Sequence, residues 1–399
     1  MMTRRLLVAL AATTAFAGAL AAITDASGSE SAESKPASGC REWLVARDYA
    51  REIAAVRPLV LKMKRAFAAP GLGVAIGAGG KLVWSQTCGF ANRERGVAVR
   101  RTTQFRVGSV SKTLTAVTAA RLSQRGRLDL DAEVQRYVPA FPRNSQPITL
   151  RQLGGHLAGI RHYEGGEAVS ARHYDSVTSS LAIFKSDPLV AEPGERFSYS
   201  SYGFNLLGAA VEAAAGKPFA VAIEETVATP LGMRRTSVDD GRARSGRARF
   251  YEVTATRTAV PAPRVDLSDR YPSGGVLSTA EDLVRLGIGI TDRAFASAKT
   301  QALLFTPQKT ASGKLTGYGF GFEIGASPVG RIVGHTGNVV GGTAFLFVHP
   351  RTGVLVAMTT NVGFVTVANP PPLGRDVPDP PRLAMPFIRR ALKEGRGGP

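Results

Sequence analysis

"FRVGSVSKTLTA", residues 105–116, decides how this chain is read. Ser109 stands three residues before Lys112, and the run that follows has the pattern of a helix. Positions i and i+3 share one face of a helix, so the spacing brings the Lys112 amine to the Ser109 hydroxyl. A serine hydroxyl is a poor nucleophile until a base takes its proton. A lysine serves as that base where burial or nearby positive charge lowers its pKa. Backbone N–H groups at the start of the helix favour a developing oxyanion. The same spacing also fits a capping serine followed by an incidental lysine. No other lysine in the chain has a serine three residues before it.

Upstream, "MMTRRLLVALAATTAFAGALAA" sets two arginines before an apolar run and small residues, the layout of a secretory signal peptide over 1–24. An uncleaved anchor is the alternative. Residues 25–44 read as a flexible polar linker, and 45–395 as one catalytic domain. The periodicity of Arg41 to Phe67 predicts one long amphipathic helix. "GLGVAIGAGGKLVWSQTCGFAN" (71–92) predicts a hairpin around Gly79-Gly80. Cys40 and Cys88 are the only cysteines, and the sequence leaves open whether they pair.

Downstream, about 127–270 reads as a mainly helical insertion, with a strong helix at "SSYGFNLLGAAVEAAAG" (200–216) ending on Gly216. Ser278 to Glu281 reads as a capping box opening another helix. "YGFGFEI", "GRIVGHTG", "GGTAFLFVHP" and "GVLVAMTTNVG" predict consecutive antiparallel strands, with a hairpin turn at Pro350 to Gly353. "RLAMPFIRRALKEG" closes the chain as a helix. The fold class is therefore α+β: an antiparallel sheet built from N- and C-terminal strands and flanked by helices.

The 399 residues carry a formal charge of +19. The basic residues are scattered and no nucleic-acid motif accompanies them, so nucleic acid is not an expected partner. Contact with an anionic envelope surface remains compatible with this charge. His156 and His162 lack the spacing of a hydrolytic zinc site and read as structural, and no cofactor is expected. There is no G-x-S-x-G, so the α/β-hydrolase elbow is absent.

The segment around Ser109 resembles the nucleophile motif of the serine β-lactamase and penicillin-binding protein superfamily. Two further stretches carry the resemblance. "PGERFSYSSYGFNLLG" places Tyr199 on the family's Tyr-x-Asn motif, with Ser201 where asparagine is usual. "RIVGHTGNVVGGTAFLF" places His335-Thr336-Gly337 on its Lys-Thr-Gly triad, and Lys309-Thr310-Ala311 is set aside because it lacks the glycine. "YPSGGVLST" also fits, with Gly274-Gly275 letting backbone approach the cleft.

The resemblance runs from about residue 45 to 362. It implies a β-lactamase/D,D-peptidase-like fold and an acyl-enzyme on Ser109, with Lys112 and Tyr199 moving protons. Ser201, His335, Thr336 and Gly337 are expected to bind substrate. His335 is expected to donate to substrate or to carry charge at mildly acidic pH. Gly337 would leave room for substrate backbone, and the Asn338 amide would join that of Ser109 as oxyanion donor. The implied substrate is a small molecule or peptide with an amide or ester carbonyl, and homo-oligomers are known among such proteins. β-Lactamase or D,D-carboxypeptidase action is the enzymatic alternative. A non-catalytic binding or filament-forming scaffold is the alternative of another class.

Overall fold

The computed structural model describes residues 39–143, 146–242, 245–365 and 380–395. Its centre is an antiparallel sheet of seven main strands: β1 (Cys40–Val45), β2 (Gly71–Ala78), β3 (Lys81–Asn92), β4 (Glu323–Ser327), β5 (Gly330–Val339), β6 (Gly342–His349) and β7 (Val354–Thr360). They lie in the order β1-β3-β2-β7-β6-β5-β4. The two ends of the chain meet where β2 pairs with β7, from Leu72 opposite Thr360 to Leu355 opposite Gly77. The early hairpin and the late strands thus form one sheet, as the strand-like runs at both ends of the chain predict.

Both faces of the sheet are covered, so alternate residues of each strand enter different cores. Val74, Ile76, Val356 and Met358 pack against α1 (Ala50–Ala66) and the C-terminal helix. Ala75, Leu355 and Ala357 pack on the other face with α2 (Ser111–Gln124), α3 (Ser201–Ala215) and α4 (Ala280–Thr291). The C-terminal helix, α5, spans Met385–Lys393. α2 is buried around almost its whole circumference, from Ser111 to Ala120. That leaves its first turn no freedom to drift, which is what a nucleophile at its start requires.

Several sequence expectations are corrected. The linker expected through residue 44 ends in strand β1, and the long helix expected from Arg41 begins only at Ala50. β1 is held by partners distant in sequence: it pairs with β3, Glu42 accepts from Trp84 and Arg57, and Cys40 is bonded to Cys88. Helix α4 is capped by Thr279, whose side chain accepts from the Asp282 amide, and not by Ser278. Glu281 turns away to bind Ser85 and Arg101.

The "YGFGFEI" strand shrinks to its end, because β4 starts only at Glu323. Gly321 before it adopts a φ of 78°, and a Cβ there would sit 2.2 Å from that of Ala116 on α2. The backbone is folded down onto the helix instead of extending a strand. Within 127–270, α3 stands among short helical turns and small strands such as Tyr251–Val253. The expected signal peptide and most of the proline-rich stretch near residue 370 lie outside the described residues.

Candidate active site

Ser109 lies in a 3-10 turn, Gly108–Val110, that leads into α2. It makes no cap: the helix is entered without a side-chain cap from Val110. The turn depends on Gly108, whose φ is 52°. A Cβ at Gly108 would lie 2.7 Å from the Asn338 amide nitrogen. From the other side, a Cβ at Gly337 would lie 2.1 Å from the Val107 carbonyl and 2.9 Å from the Ser109 nitrogen. The missing side chains let the Ser109 turn press against β5. Gly337 thus makes room for the nucleophile's own backbone, where the sequence suggested room for substrate. Its neighbour Asn338 is fixed from its side chain, which accepts from the Phe364 amide.

Lys112 is completely buried. Its Nζ lies 3.0 Å from Ser109 Oγ, 3.1 Å from Ser201 Oγ and 2.8 Å from the Ser273 carbonyl. Burial drives its pKa well below the ordinary lysine value, against a smaller upward pull from Glu323. A neutral amine has two hydrogens and one lone pair. One hydrogen goes to the Ser273 carbonyl, the other suits Ser201, and the lone pair is left for the Ser109 hydroxyl. Tyr199 donates from its hydroxyl to Ser109 Oγ at 2.9 Å. Burial raises its pKa, so it stays a phenol able to give a proton. The cluster holds a nucleophile, a base and an acid within hydrogen-bond reach.

Ser201 is corrected from substrate ligand to lysine support. It is 3% exposed, and its short side chain is spent on Lys112 at the start of α3. His335 is corrected as well. It is 1% exposed, and its pKa is pushed down to about 3 by burial and by Lys112. Its Nδ1 faces the Thr336 carbonyl, which can only accept, so that nitrogen carries the hydrogen. Nε2 then accepts from the Tyr318 hydroxyl at 2.9 Å. The imidazole is neutral, fully engaged and without a charge for substrate at mildly acidic pH. Thr336 is half-buried on β5 and donates to Glu323 Oε1 at 3.2 Å.

Two further histidines, His156 and His162, act as backbone acceptors. His156 Nδ1 accepts from the Ser200 amide and His162 Nδ1 from the Ser201 amide, fixing the entry to α3. Their structural reading agrees with this geometry.

Sequence reasoning missed Ser273, Tyr318 and Glu323. Ser273 acts through its carbonyl, which any residue type would supply. Tyr318 and Glu323 stood inside what was taken for an ordinary strand. An acidic residue in the apolar run "YGFGFEI" was the available signal.

Comparison with known proteins identifies the fold and the family. The human mitochondrial serine beta-lactamase-like protein LACTB is 31% identical over 311 residues, covering 60% of this chain and 57% of that protein. The chain therefore spans a little over half the length of that relative. Esterase EstB of Burkholderia gladioli is 29% identical, covering 73% of this chain and 86% of the esterase. Among solved structures, the octameric penicillin-binding protein homologue from Pyrococcus abyssi superposes with a TM-score of 0.70 at 24% identity, over 86% of this chain and 78% of that one. The D-amino acid amidase from Ochrobactrum anthropi SV3 gives 0.71 at 20%, over 87% of this chain and the whole of the other. The two structural likenesses establish the fold. The Beta-lactamase family model matches residues 60–372, more than three quarters of the sequence, and this chain belongs to that family of serine hydrolases.

Proposed function

We propose that the protein is an exported serine hydrolase that forms an acyl-enzyme on Ser109 from an amide or ester, with peptidase or esterase action rather than β-lactam destruction. One observation carries this reading. Lys112 is wholly buried, and among the described residues no carboxylate stands within ion-pair distance of its Nζ, which instead touches Ser109 Oγ. An unpaired buried amine is stable only in its neutral form, and a neutral amine is a base.

As Ser109 Oγ bonds to the carbonyl carbon, its proton passes to Lys112. The amides of Ser109 and Asn338 receive the oxyanion. The bond to the leaving nitrogen or oxygen breaks as Tyr199 gives that atom its proton, and Lys112 restores the phenol. Water then repeats the sequence against the acyl-enzyme and releases the acid. The neutral His335 and the withdrawn Ser201 support the peptidase or esterase reading, since neither offers substrate what a lysine or asparagine would. The Cys40–Cys88 disulfide supports export, because such bonds persist in oxidising compartments.

The test is a panel of p-nitrophenyl esters, peptide amides, a D-Ala-D-Ala peptide and nitrocefin, with wild type and Ser109→Ala. Ser109-dependent turnover of esters or amides above that of nitrocefin supports the reading. Nitrocefin or D-Ala-D-Ala as the preferred substrate overturns it in favour of β-lactamase or D,D-carboxypeptidase action. No turnover and no acyl adduct on Ser109 would leave a scaffold.

A further inference from the structure

β4 covers only part of the edge of β5, pairing Glu323–Ser327 with Gly330–Gly334. Beyond Gly334 the strand runs on through His335 to Val339 along the Ser109 turn. Glu323 therefore stands where the covered part of the β5 edge ends. Its Oε1 accepts from Thr336 Oγ1 at 3.2 Å and lies 3.5 Å from His335 Nδ1, and its side chain keeps 34% of its surface exposed.

On the proposed mechanism the leaving group departs on the Tyr199 side of Ser109. Its departing atom takes a proton from Tyr199, whose hydroxyl meets Ser109 Oγ and whose ring lies 6.3 Å from that of His335. A Lys-Thr-Gly triad would offer that group a cation. Here the imidazole is neutral and the threonine hydroxyl is already turned to a carboxylate. Resting on the proposed acyl-enzyme reading, we infer that Glu323 is a specificity-determining residue that selects substrates whose leaving amine or alcohol carries a positive charge, and disfavours those whose leaving group carries a carboxylate.

The groups around the carboxylate agree with this. Lys112 from α2, Tyr199 ahead of α3, Tyr318, and His335 and Thr336 from β5 face it. Burial pushes Lys112 and His335 away from their charged forms, and it holds both tyrosines as phenols. None supplies a competing permanent cation. Burial raises Glu323 to about 7. A cation on the substrate would favour its ionised form, and the preference should grow as pH rises through that value.

The experiment compares phenylacetate esters of 3-(trimethylammonio)phenol, 3-methoxyphenol and 3-hydroxybenzoate. The quantity read is the cationic-to-anionic ratio of kcat/KM, taken relative to each variant so that intrinsic leaving ability cancels. The wild-type ratio should exceed that of Glu323→Gln by about tenfold, a modest value for a partly exposed carboxylate. Glu323→Asp should keep part of the preference and Glu323→Lys should invert it. A ratio that Glu323→Gln and Glu323→Lys leave unmoved, with Ser109-dependent turnover intact, overturns this inference alone. Wild-type turnover that survives Ser109→Ala overturns the acyl-enzyme reading and this inference with it.

Discussion

Two buried basic side chains flank Ser109, and they are held in opposite ways. Arg106, three residues before it, donates to Asp239 at 2.7 Å and to the Val340 carbonyl at 2.8 Å. Arg247 reaches the same Asp239 at 2.7 Å. Lys112, three residues after it, meets two hydroxyls and a carbonyl. The guanidinium cannot shed its proton and is matched with a carboxylate; the amine can, and is not matched. The first arrangement fixes the strand that delivers Ser109, and the second makes Ser109 reactive. Burial alone therefore does not mark a functional charge. What marks it is burial without a counter-ion, in a group that titrates.

The comparison breaks most readily at the reactive end. Ser109→Ala should lower turnover by a factor on the order of 10³ or more without shifting the melting temperature appreciably. Retention of activity would remove the nucleophile from the account. At the structural end, Asp239→Ala leaves the buried Arg106 guanidinium without its carboxylate and takes the same partner from the half-buried Arg247. Denaturant unfolding should show a loss of about 4 kcal/mol. A loss below about 1 kcal/mol would mean that the Arg106 pair does not anchor the strand.

A third experiment probes a place neither cluster touches. Cys40 and Cys88 close a separation of 48 residues between β1 and β3. Replacing both with serine should cost about 3 kcal/mol of stability. The pH profile of the remaining activity should stay put, and a shift in that profile would show the two regions to be coupled. Tyr199→Phe sharpens the reactive end with the smallest effect. Loss of the proton donor should slow acylation by about a hundredfold on substrates with poor leaving groups, equivalent to about 2.7 kcal/mol. On activated aryl esters, whose leaving group needs no proton, the loss should be much smaller. Equal losses on both would assign Tyr199 a packing role.

What the sequence showed and hid follows the range of the interactions. Ser109 and Lys112 were legible because one helical turn relates them, and the helix at 200–216 because its periodicity is local. The meeting of β2 with β7 was readable from strand-like runs at both ends of the chain. β1 was not, since its residues have helical spacing and only the β3 pairing and the disulfide make them a strand. The charge state of His335 was misjudged for a similar reason. Its environment is set by Tyr318 and by burial of its position on β5, which no spacing in "GHTG" encodes. Ser201 is expected from the sequence to bind substrate, and only coordinates show its hydroxyl committed to Lys112.

The central claim is that Lys112 is neutral at working pH and draws the proton from Ser109. It is tested most directly by the pH dependence of covalent modification at Ser109. Fluorophosphonate labelling of the purified protein, followed by intact mass and peptide mapping, gives both the site and the rate. The account expects a single adduct on Ser109, absent in Ser109→Ala. It expects the rate to rise with pH as Lys112 loses its proton and to level off well below pH 10.5, because burial lowers that pKa. An adduct on another residue, or a rate that climbs only as pH approaches the ordinary lysine value, would contradict it.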